Sequence, residues 1–229
     1  MDLLIGIIKM IEMFIRLLIN FWYCWVWIIP LFILKIWLNS PKRKGKRGEK
    51  AVKKSLDNLP EDQYQILNNI LLDSDNGTSQ IDHIVISVYG IFVIETKNYT
   101  GVIYGSEHSS KWTQYINGNK YSFQNPIHQN YGHIKTVESF LSEFADITIN
   151  SIIVFAGNCK LKIKTETPVV YEDKLYQLLQ SLSKEVVLTS ADIINIKDIL
   201  SEKNITDYEQ KKAHNKYVSK IKTESPKDR

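Results

Sequence analysis

Three ionisable residues in the middle of this 229-residue chain have the types needed to share one site: Asp82, Glu95 and Lys97. Glu95 and Lys97 are separated by one residue in an apolar segment with strand character, so their side chains point to the same face. Two carboxylates supply the hard oxygen ligands that Mg²⁺ or Mn²⁺ prefers. A neighbouring lysine can orient a water molecule or neutralise charge on a phosphate. The residue types fit metal-assisted hydrolysis of a phosphodiester bond, with an ordinary surface ion pair as the alternative.

A β-hairpin must bring these residues together. Two apolar segments have the alternation and the β-branched content of strands, and they cover residues 80–88 and 91–97. The dipeptide Tyr89-Gly90 between them predicts a tight turn. The register that follows from this turn places Asp82 opposite Lys97 and diagonal to Glu95 on one face of the sheet.

The remaining sequence predicts a mixed α/β (α+β) fold. Helical spacing of apolar residues is found at 45–59, 127–144, 173–182, 190–201 and 207–221. Strand patterns occupy residues 64–72, 102–104, 112–116, 120–123, 147–156 and 169–171. Because hairpins follow one another, we expect one mixed central β-sheet flanked by helices. This domain is predicted to cover residues 45–222, and the polar residues 223–229 are predicted to be a disordered tail.

Several motifs in this order resemble the NERD (nuclease-related) domain, a divergent branch of the PD-(D/E)XK nuclease-like fold. The motifs are Gly45-x-x-Gly48-Glu49, QIDHIVI at residues 80–86, GIFVIETK at residues 90–97, Gly101, Trp112, and Asn125-Pro126-Ile127-x-Gln129. The resemblance covers about residues 45–133 and implies a restriction-endonuclease-like fold. It further implies that Asp82 and Glu95 bind Mg²⁺ or Mn²⁺ together with the backbone carbonyl of Thr96.

The same resemblance implies roles for three further side chains. Lys97 would position or activate the attacking water, and Glu49 would support the metal or its water. Gln129 would contact phosphate or the groups around the metal. The implied catalytic set is therefore Glu49, Asp82, Glu95, Lys97 and Gln129. The proline that conventionally precedes the first aspartate is replaced by Ile81, as this family allows.

Basic residues are concentrated immediately before the predicted domain. Residues 42–54 contain eight lysines and arginines against one glutamate, although the net charge of the chain is only +4. This unevenness indicates one basic stripe rather than a generally basic chain. Residues 39–44 are predicted to be a basic linker that contacts anionic lipid through Lys42, Arg43 and Lys44. At the predicted helix start, nucleic-acid phosphate would contact Lys46, Arg47 and Gly48, with an ordinary helix start as the alternative.

The first 38 residues are strongly apolar. Residues 17–38 have the length of a transmembrane helix and contain the aromatic types enriched at membrane interfaces, namely Trp22, Tyr23, Trp25, Trp27 and Trp37. Residues 1–16 predict an amphipathic or membrane-entering helix. The basic flank after residue 38 predicts a single-pass protein of the cell membrane with a cytoplasmic C-terminal domain. The length of the apolar stretch argues against a cleaved signal peptide, and a buried soluble helix remains the alternative.

These patterns together predict a membrane-anchored, Mg²⁺- or Mn²⁺-dependent nuclease-like enzyme that hydrolyses phosphodiester bonds in DNA. The lipid bilayer is the expected partner of residues 17–38, and protein partners are unknown. Two distant cysteines, Cys24 and Cys159, exclude a disulfide framework and a zinc knuckle. The alternatives are a catalytically silent module that binds nucleic acid or a protein partner, and a lipid-binding scaffold at the membrane surface.

Overall fold

The computed structural model of the protein describes residues 2–38, 40–74, 77–144, 147–207, 210, 212–214 and 216. The chain divides into two compact units, Met1–Lys44 and Gly45–Arg229. The predicted tail at residues 223–229 lies outside the described residues, as does most of the helix predicted at 207–221.

The first unit contains α1 (Asp2–Leu38), whose large apolar side chains are exposed along the helix. Within the described residues, no single helix is both long and apolar enough to cross a membrane. Leu3–Phe21 and Val26–Leu38 satisfy the length and composition requirement only as a pair, with a bend of 56° between them. A transmembrane span at residues 17–38 therefore remains a prediction.

The helix α2 (Pro41–Leu56) begins four residues earlier than its predicted start at residue 45. Proline is favoured in the first turn of a helix, and lysine and arginine propagate helices well. The Ser40 carbonyl accepts hydrogen bonds at 3.0 Å from the backbone N–H groups of both Arg43 and Lys44. Residues 41–44 of the predicted basic linker therefore belong to a helix.

Nine strands and three more helices follow in the described part of the second unit. The strands are β1 (Tyr64–Ser74), β2 (Gly77–Ser87), β3 (Gly90–Lys97), β4 (Gly101–Ser106), β5 (Lys111–Ile116), β6 (Asn119–Gln124), β7 (Ile149–Phe155), β8 (Cys159–Lys164) and β9 (Val169–Tyr171). The helices are α3 (Pro126–Phe140), α4 (Leu175–Leu182) and α5 (Ser190–Glu202), and short 3₁₀ turns occupy Ser142–Phe144 and Glu172–Lys174. The mixed α+β class is as predicted.

The strands form two mixed sheets instead of the one central sheet predicted. The first sheet has the order β1-β2-β3-β7-β9, in which β1 to β3 are antiparallel and β7 and β9 are parallel to β3. The second sheet has the order β6-β5-β4-β8. The strand β8 was not predicted, although its sequence CKLKIK alternates lysine with apolar residues in the way of a half-buried strand.

Helices cover both faces of the first sheet. On one face, α3 and α5 pack against apolar residues of β1 to β3, including Ile84 and Val93. On the other face, Val52 and Leu56 of α2 pack with α4 against the alternate residues of the same strands. The strands β2 and β3 are therefore buried on both sides, so a charged side chain on them needs a partner.

The hairpin of β2 and β3 turns at Val88-Tyr89, and the predicted turn at Tyr89-Gly90 is wrong. Ser87 pairs with Gly90, whose φ of +116° is a conformation that glycine adopts without strain. The Ser87 hydroxyl closes the turn by donating a hydrogen bond to the Gly90 carbonyl at 2.8 Å.

This correction changes which site residues are neighbours. The last regular pair of the hairpin is His83 with Ile94, so Asp82 comes level with Glu95 rather than with Lys97. The pairing differs from the prediction by two residues, and an even shift preserves the face of every side chain. The three predicted residues therefore still share one face, the one that α3 covers.

The second sheet packs one face on a third apolar cluster. Trp112 stacks on Phe155 of the first sheet with an interplanar angle of 3° and a centroid distance of 6.3 Å. Gly105 lies so close that an added Cβ would come within 2.3 Å of the Trp112 ring. The opposite face of this sheet is exposed along alternating residues of its strands.

Candidate functional site

The candidate site lies where β3 ends. Glu95 and Lys97 are the last two residues of this strand that point toward α3, and Asp82 lies beside them on β2. Glu95 is buried with 3% of its surface exposed, whereas Asp82 and Lys97 are half-buried. Burial of a carboxylate costs free energy unless a cation or a hydrogen-bond donor contacts it, so Glu95 needs such partners.

Lys97 connects Glu95 to α3. Its Nζ donates to Glu95 Oε1 at 2.5 Å and to Gln129 Oε1 at 2.9 Å. Burial favours the neutral form of Lys97, but Glu95, Tyr99 and Asp82 together outweigh this effect and raise the pKa of the ammonium group. Lys97 is therefore a cation at neutral pH, and its role is that of a donor and a positive charge.

His133 contacts the other oxygen of Glu95. Its Nε2 lies 3.3 Å from Glu95 Oε2, in a geometry that falls short of a hydrogen bond, and its Nδ1 is 2.7 Å from Ser79 Oγ. Burial raises the pKa of Glu95, but Lys97 and His133 together lower it to about 2. Glu95 is an anion throughout the physiological range, and its Oε2 lacks a hydrogen-bond partner among the described residues.

The pKa of Asp82 is shifted in the opposite direction from that of Glu95. Burial and the Glu95 carboxylate raise the pKa of Asp82 well above its ordinary value. The backbone N–H of Thr96 donates to Asp82 Oδ2 at 2.8 Å and opposes this shift. Because the N–H and C=O of one strand residue point to the same edge, the Thr96 carbonyl faces the Asp82 side of β3.

Glu49 on α2 completes an acidic cluster. Burial raises the pKa of Glu49, Lys46 lowers it, and the Glu95 carboxylate raises it. Glu49 in turn raises the pKa of Asp82. The helix approaches closely at Gly48, where an added Cβ would lie 2.8 Å from the Asn98 side chain. Glu49, Asp82 and Glu95 therefore lie within electrostatic reach of one another, as predicted.

The start of α3 fixes Gln129 and His133. Asn125 is fully buried, and its Oδ1 accepts the backbone N–H of Ile127 at 3.0 Å to cap the helix. The Asn125 Nδ2 donates to the carbonyls of Glu107 and Ser109 at 2.9 and 2.7 Å. Asparagine is a strong N-cap and proline suits the first turn, so the Asn-Pro motif anchors the helix that supplies Gln129.

The carboxylate oxygens of this cluster are ligands that hard divalent cations prefer. The Glu95 carboxylate raises the pKa values of Glu49 and Asp82, Glu49 also raises that of Asp82, and a cation between them would remove this repulsion. The buried, unpartnered Oε2 of Glu95 is a further oxygen donor. Within the described residues, no group of three or more His, Cys, Asp or Glu side chains has the arrangement of a metal site. A metal ion between Asp82 and Glu95 would need backbone or water oxygens to complete its shell.

His133 was missed as a site residue by the sequence analysis. Its position four residues after Gln129 places both on one face of α3, where their side-chain nitrogens lie 3.5 Å apart. That spacing was the available signal, but histidine fills partly buried positions so often that spacing alone does not identify a site. His83, by contrast, points to the opposite face and bonds Asn68 Oδ1 at 2.7 Å.

Comparisons with known proteins identify the family of this chain. Residues 44–156 match the nuclease-related domain, NERD, and these residues include every predicted catalytic position. An uncharacterised protein of Bacillus anthracis is 42% identical over 183 residues, which cover 78% of this chain and 85% of that protein. The chain belongs to the nuclease-related domain family. No solved structure matches it.

Proposed function

We propose that the protein is a divalent-metal-dependent nuclease that hydrolyses phosphodiester bonds in DNA. The family is named only for its relation to nucleases, so this activity rests on the site itself. The observation that carries it is the buried group at the end of β3, in which Glu95 is ionised beside Lys97 while Asp82 has a raised pKa.

The proposed division of labour follows from these charges. Asp82, Glu95 and the Thr96 carbonyl would hold Mg²⁺ or Mn²⁺, which would supply polarisation of a phosphate oxygen and acidification of a water molecule. Lys97 stays protonated, so it stabilises negative charge on the phosphate and does not act as a base. Gln129 accepts a hydrogen bond from Lys97 and thereby orients its ammonium group.

Glu49 is the proposed acceptor of the proton from the attacking water. It is half-buried, and its raised pKa makes it a better base than an ordinary glutamate. Glu95 is a poorer choice, because a carboxylate with a pKa of about 2 gains little by accepting a proton. In this proposal Glu49 is the general base, and Lys97 is the cation that stabilises the phosphate.

We also propose that residues 17–38 anchor the protein in the cell membrane, with the C-terminal domain in the cytoplasm. The exposed apolar side chains of α1 support this proposal, as do the basic residues Lys42, Arg43 and Lys44 that follow it. Lys46 and Arg47 lie next to Glu49 on α2, and we propose that this part of α2 meets nucleic-acid phosphate. Gly48 does not contribute as predicted, because it is buried inside the helix against Asn98.

A test of the activity uses the full chain in mild detergent, because α1 exposes apolar side chains. Supercoiled plasmid, linear duplex, single-stranded DNA and RNA are each offered with Mg²⁺, Mn²⁺ or EDTA. We expect cleavage of DNA that requires the metal, and a loss of roughly 10³-fold in rate for Lys97→Gln.

The matched control is Lys197→Gln, which removes another half-buried lysine whose Nζ donates to Gln65 at 2.7 Å. It should cleave at the wild-type rate. Full activity in Lys97→Gln, or equal loss in both variants, would refute the proposed site.

A binding module without catalysis is the second candidate. It is favoured by the internal pairing of Glu95, whose Oε1 lies 2.5 Å from Lys97 Nζ and whose Oε2 lies 3.3 Å from His133 Nε2. This candidate predicts that the folded wild type binds DNA in EDTA and in Mg²⁺ alike and cleaves none of the substrates.

A further inference from the structure

The outward face of the second sheet has an unusual composition. Strand register places one set of twelve side chains on it: Val102, Tyr104, Ser106, Lys111, Thr113, Tyr115, Lys120, Ser122, Gln124, Lys160, Lys162 and Lys164. Ile103 and Trp112, which point to the opposite face, are buried in the core. Five of these side chains are lysines, and none of the twelve is acidic. We refer to them as the lysine–tyrosine face.

Two tyrosines form the centre of this face. Tyr104 and Tyr115 are 40% and 42% exposed, and their rings meet edge to face at a centroid distance of 5.4 Å. Lys162 Nζ donates to the Tyr104 hydroxyl at 3.2 Å and lies 5.3 Å from the ring centroid. Thr113 and Lys120 complete the lining of an open groove of about 480 Å³ beside these rings. The rings are thus held in place while their surfaces remain accessible.

Lysines extend from this centre along β8. Lys160, Lys162 and Lys164 point outward in succession, and side chains two residues apart on a strand are separated by about 6.6 Å. A row of cations beside exposed aromatic rings is the combination that binds single-stranded nucleic acid, where phosphates meet the cations and bases stack on the rings.

We infer that the lysine–tyrosine face binds a single strand of nucleic acid. A duplex fits this face poorly, because its bases are already paired and stacked on one another, and their faces are not available to the tyrosine rings. A membrane fits it poorly as well, because Val102 is the only aliphatic side chain among the twelve, and surfaces that enter lipid carry large apolar groups. The face lies outside the site at the end of β3, so the inference does not depend on hydrolysis.

The test measures binding of a fluorescein-labelled oligothymidine to the full chain in detergent and EDTA, by fluorescence anisotropy. Removal of both rings by Tyr104→Ala and Tyr115→Ala should weaken binding by about 100-fold, and the corresponding phenylalanine variants should bind within about twofold of wild type. Tyr131→Ala is the matched control, because Tyr131 is an exposed tyrosine of α3 with Lys135 over its ring. It should bind like wild type.

Salt dependence tests the lysines separately. Changing Lys160, Lys162 and Lys164 to glutamine should reduce the slope of log K against log salt by about 2, while Lys135→Gln should leave it unchanged. Circular dichroism and thermal unfolding establish that each variant is folded, and the phenylalanine pair tests stacking without loss of packing.

Three results would overturn the inference. They are wild-type affinity in the folded alanine pair, an unchanged salt slope in the glutamine variant, and tighter binding of a duplex of equal length than of oligothymidine. Binding of anionic vesicles that depends on both tyrosines, without binding of oligothymidine, would also reject it and would assign the face to lipid. Because cleavage plays no part in these measurements, an inactive enzyme would leave their outcome unaffected.

Discussion

The two sheets carry charge in opposite ways. At the end of β3 in the first sheet, Glu95 and Lys97 are paired inside the protein, and each changes the pKa of the other. On the second sheet, the five lysines of the lysine–tyrosine face are exposed, and no acidic residue shares that face. Buried charges interact strongly in a low dielectric, whereas exposed charges are screened. The first arrangement suits chemistry with fixed geometry, and the second suits binding of a flexible polyanion.

The largest effect on stability should come from removing Glu95. Glu95→Ala leaves Lys97, whose side chain is only 15% exposed, as a cation without its carboxylate, so the free energy of unfolding should fall by about 3–5 kcal/mol in urea denaturation. Glu138→Ala is the matched control, because it removes an exposed carboxylate that lies 2.6 Å from Lys135. Its expected cost is below about 1 kcal/mol. Similar losses in both variants would contradict the distinction between buried and exposed charge.

The proposed base should have a large effect on rate. Glu49→Gln keeps the shape and polarity of the side chain but cannot accept a proton at neutral pH, so the rate should fall by about 10²-fold. Stability should change little, because Glu49 is half-buried. A pH–rate profile that keeps its acidic limb in Glu49→Gln would assign the base to another group.

Acid should destabilise the fold through Glu95. Its pKa is lowered from 4.5 to about 2 in the folded protein, so its contribution is complete above pH 4.5 and is lost as the pH falls toward 2. Urea denaturation at successive pH values should show this loss in wild type and a smaller one in Glu95→Gln. Identical acid profiles would show that Glu95 is not the responsible group.

Asp82 should behave in the opposite sense. Its raised pKa means that the folded state favours the protonated form, so the ionised carboxylate costs stability as the pH rises. Asp82→Asn should therefore raise the free energy of unfolding at pH 7 by about 1 kcal/mol in EDTA. Added Mg²⁺ should raise the thermal unfolding temperature of wild type and leave that of Asp82→Asn unchanged. An equal response in both proteins would exclude Asp82 as a metal ligand.

The exposed lysines should have the smallest effect on stability. Lys162→Gln removes a surface cation and a hydrogen bond to Tyr104, so the free energy of unfolding should change by no more than about 0.5 kcal/mol. A loss comparable with that of Glu95→Ala would show that the lysine–tyrosine face is structural.

Alternation along the strands made it possible to predict from the sequence that the side chains of Asp82, Glu95 and Lys97 share one face of the sheet. Glu95 and Lys97 share a face whatever the turn does, and the two-residue error in register left Asp82 on the same face. The turn itself was mispredicted because Gly90 with positive φ starts β3 rather than ending the loop.

Other features depend on long-range packing. The contact between His133 and Glu95 joins residues 38 positions apart on different elements, and β8 exists as a strand because it pairs with β4. The division of the strands into two sheets could not be predicted for the same reason. Local alternation predicts strands but not the sheet in which they pair.

The most direct test of the account compares wild type with Asp82→Asn in cleavage of labelled DNA, with Mg²⁺ or EDTA and with the full chain in detergent. Asp57→Asn, which changes an exposed aspartate, is the control. The account predicts cleavage by wild type and Asp57→Asn that requires Mg²⁺, and no cleavage by an Asp82→Asn protein that is at least as stable as wild type. Metal-dependent cleavage at the wild-type rate by Asp82→Asn would contradict it.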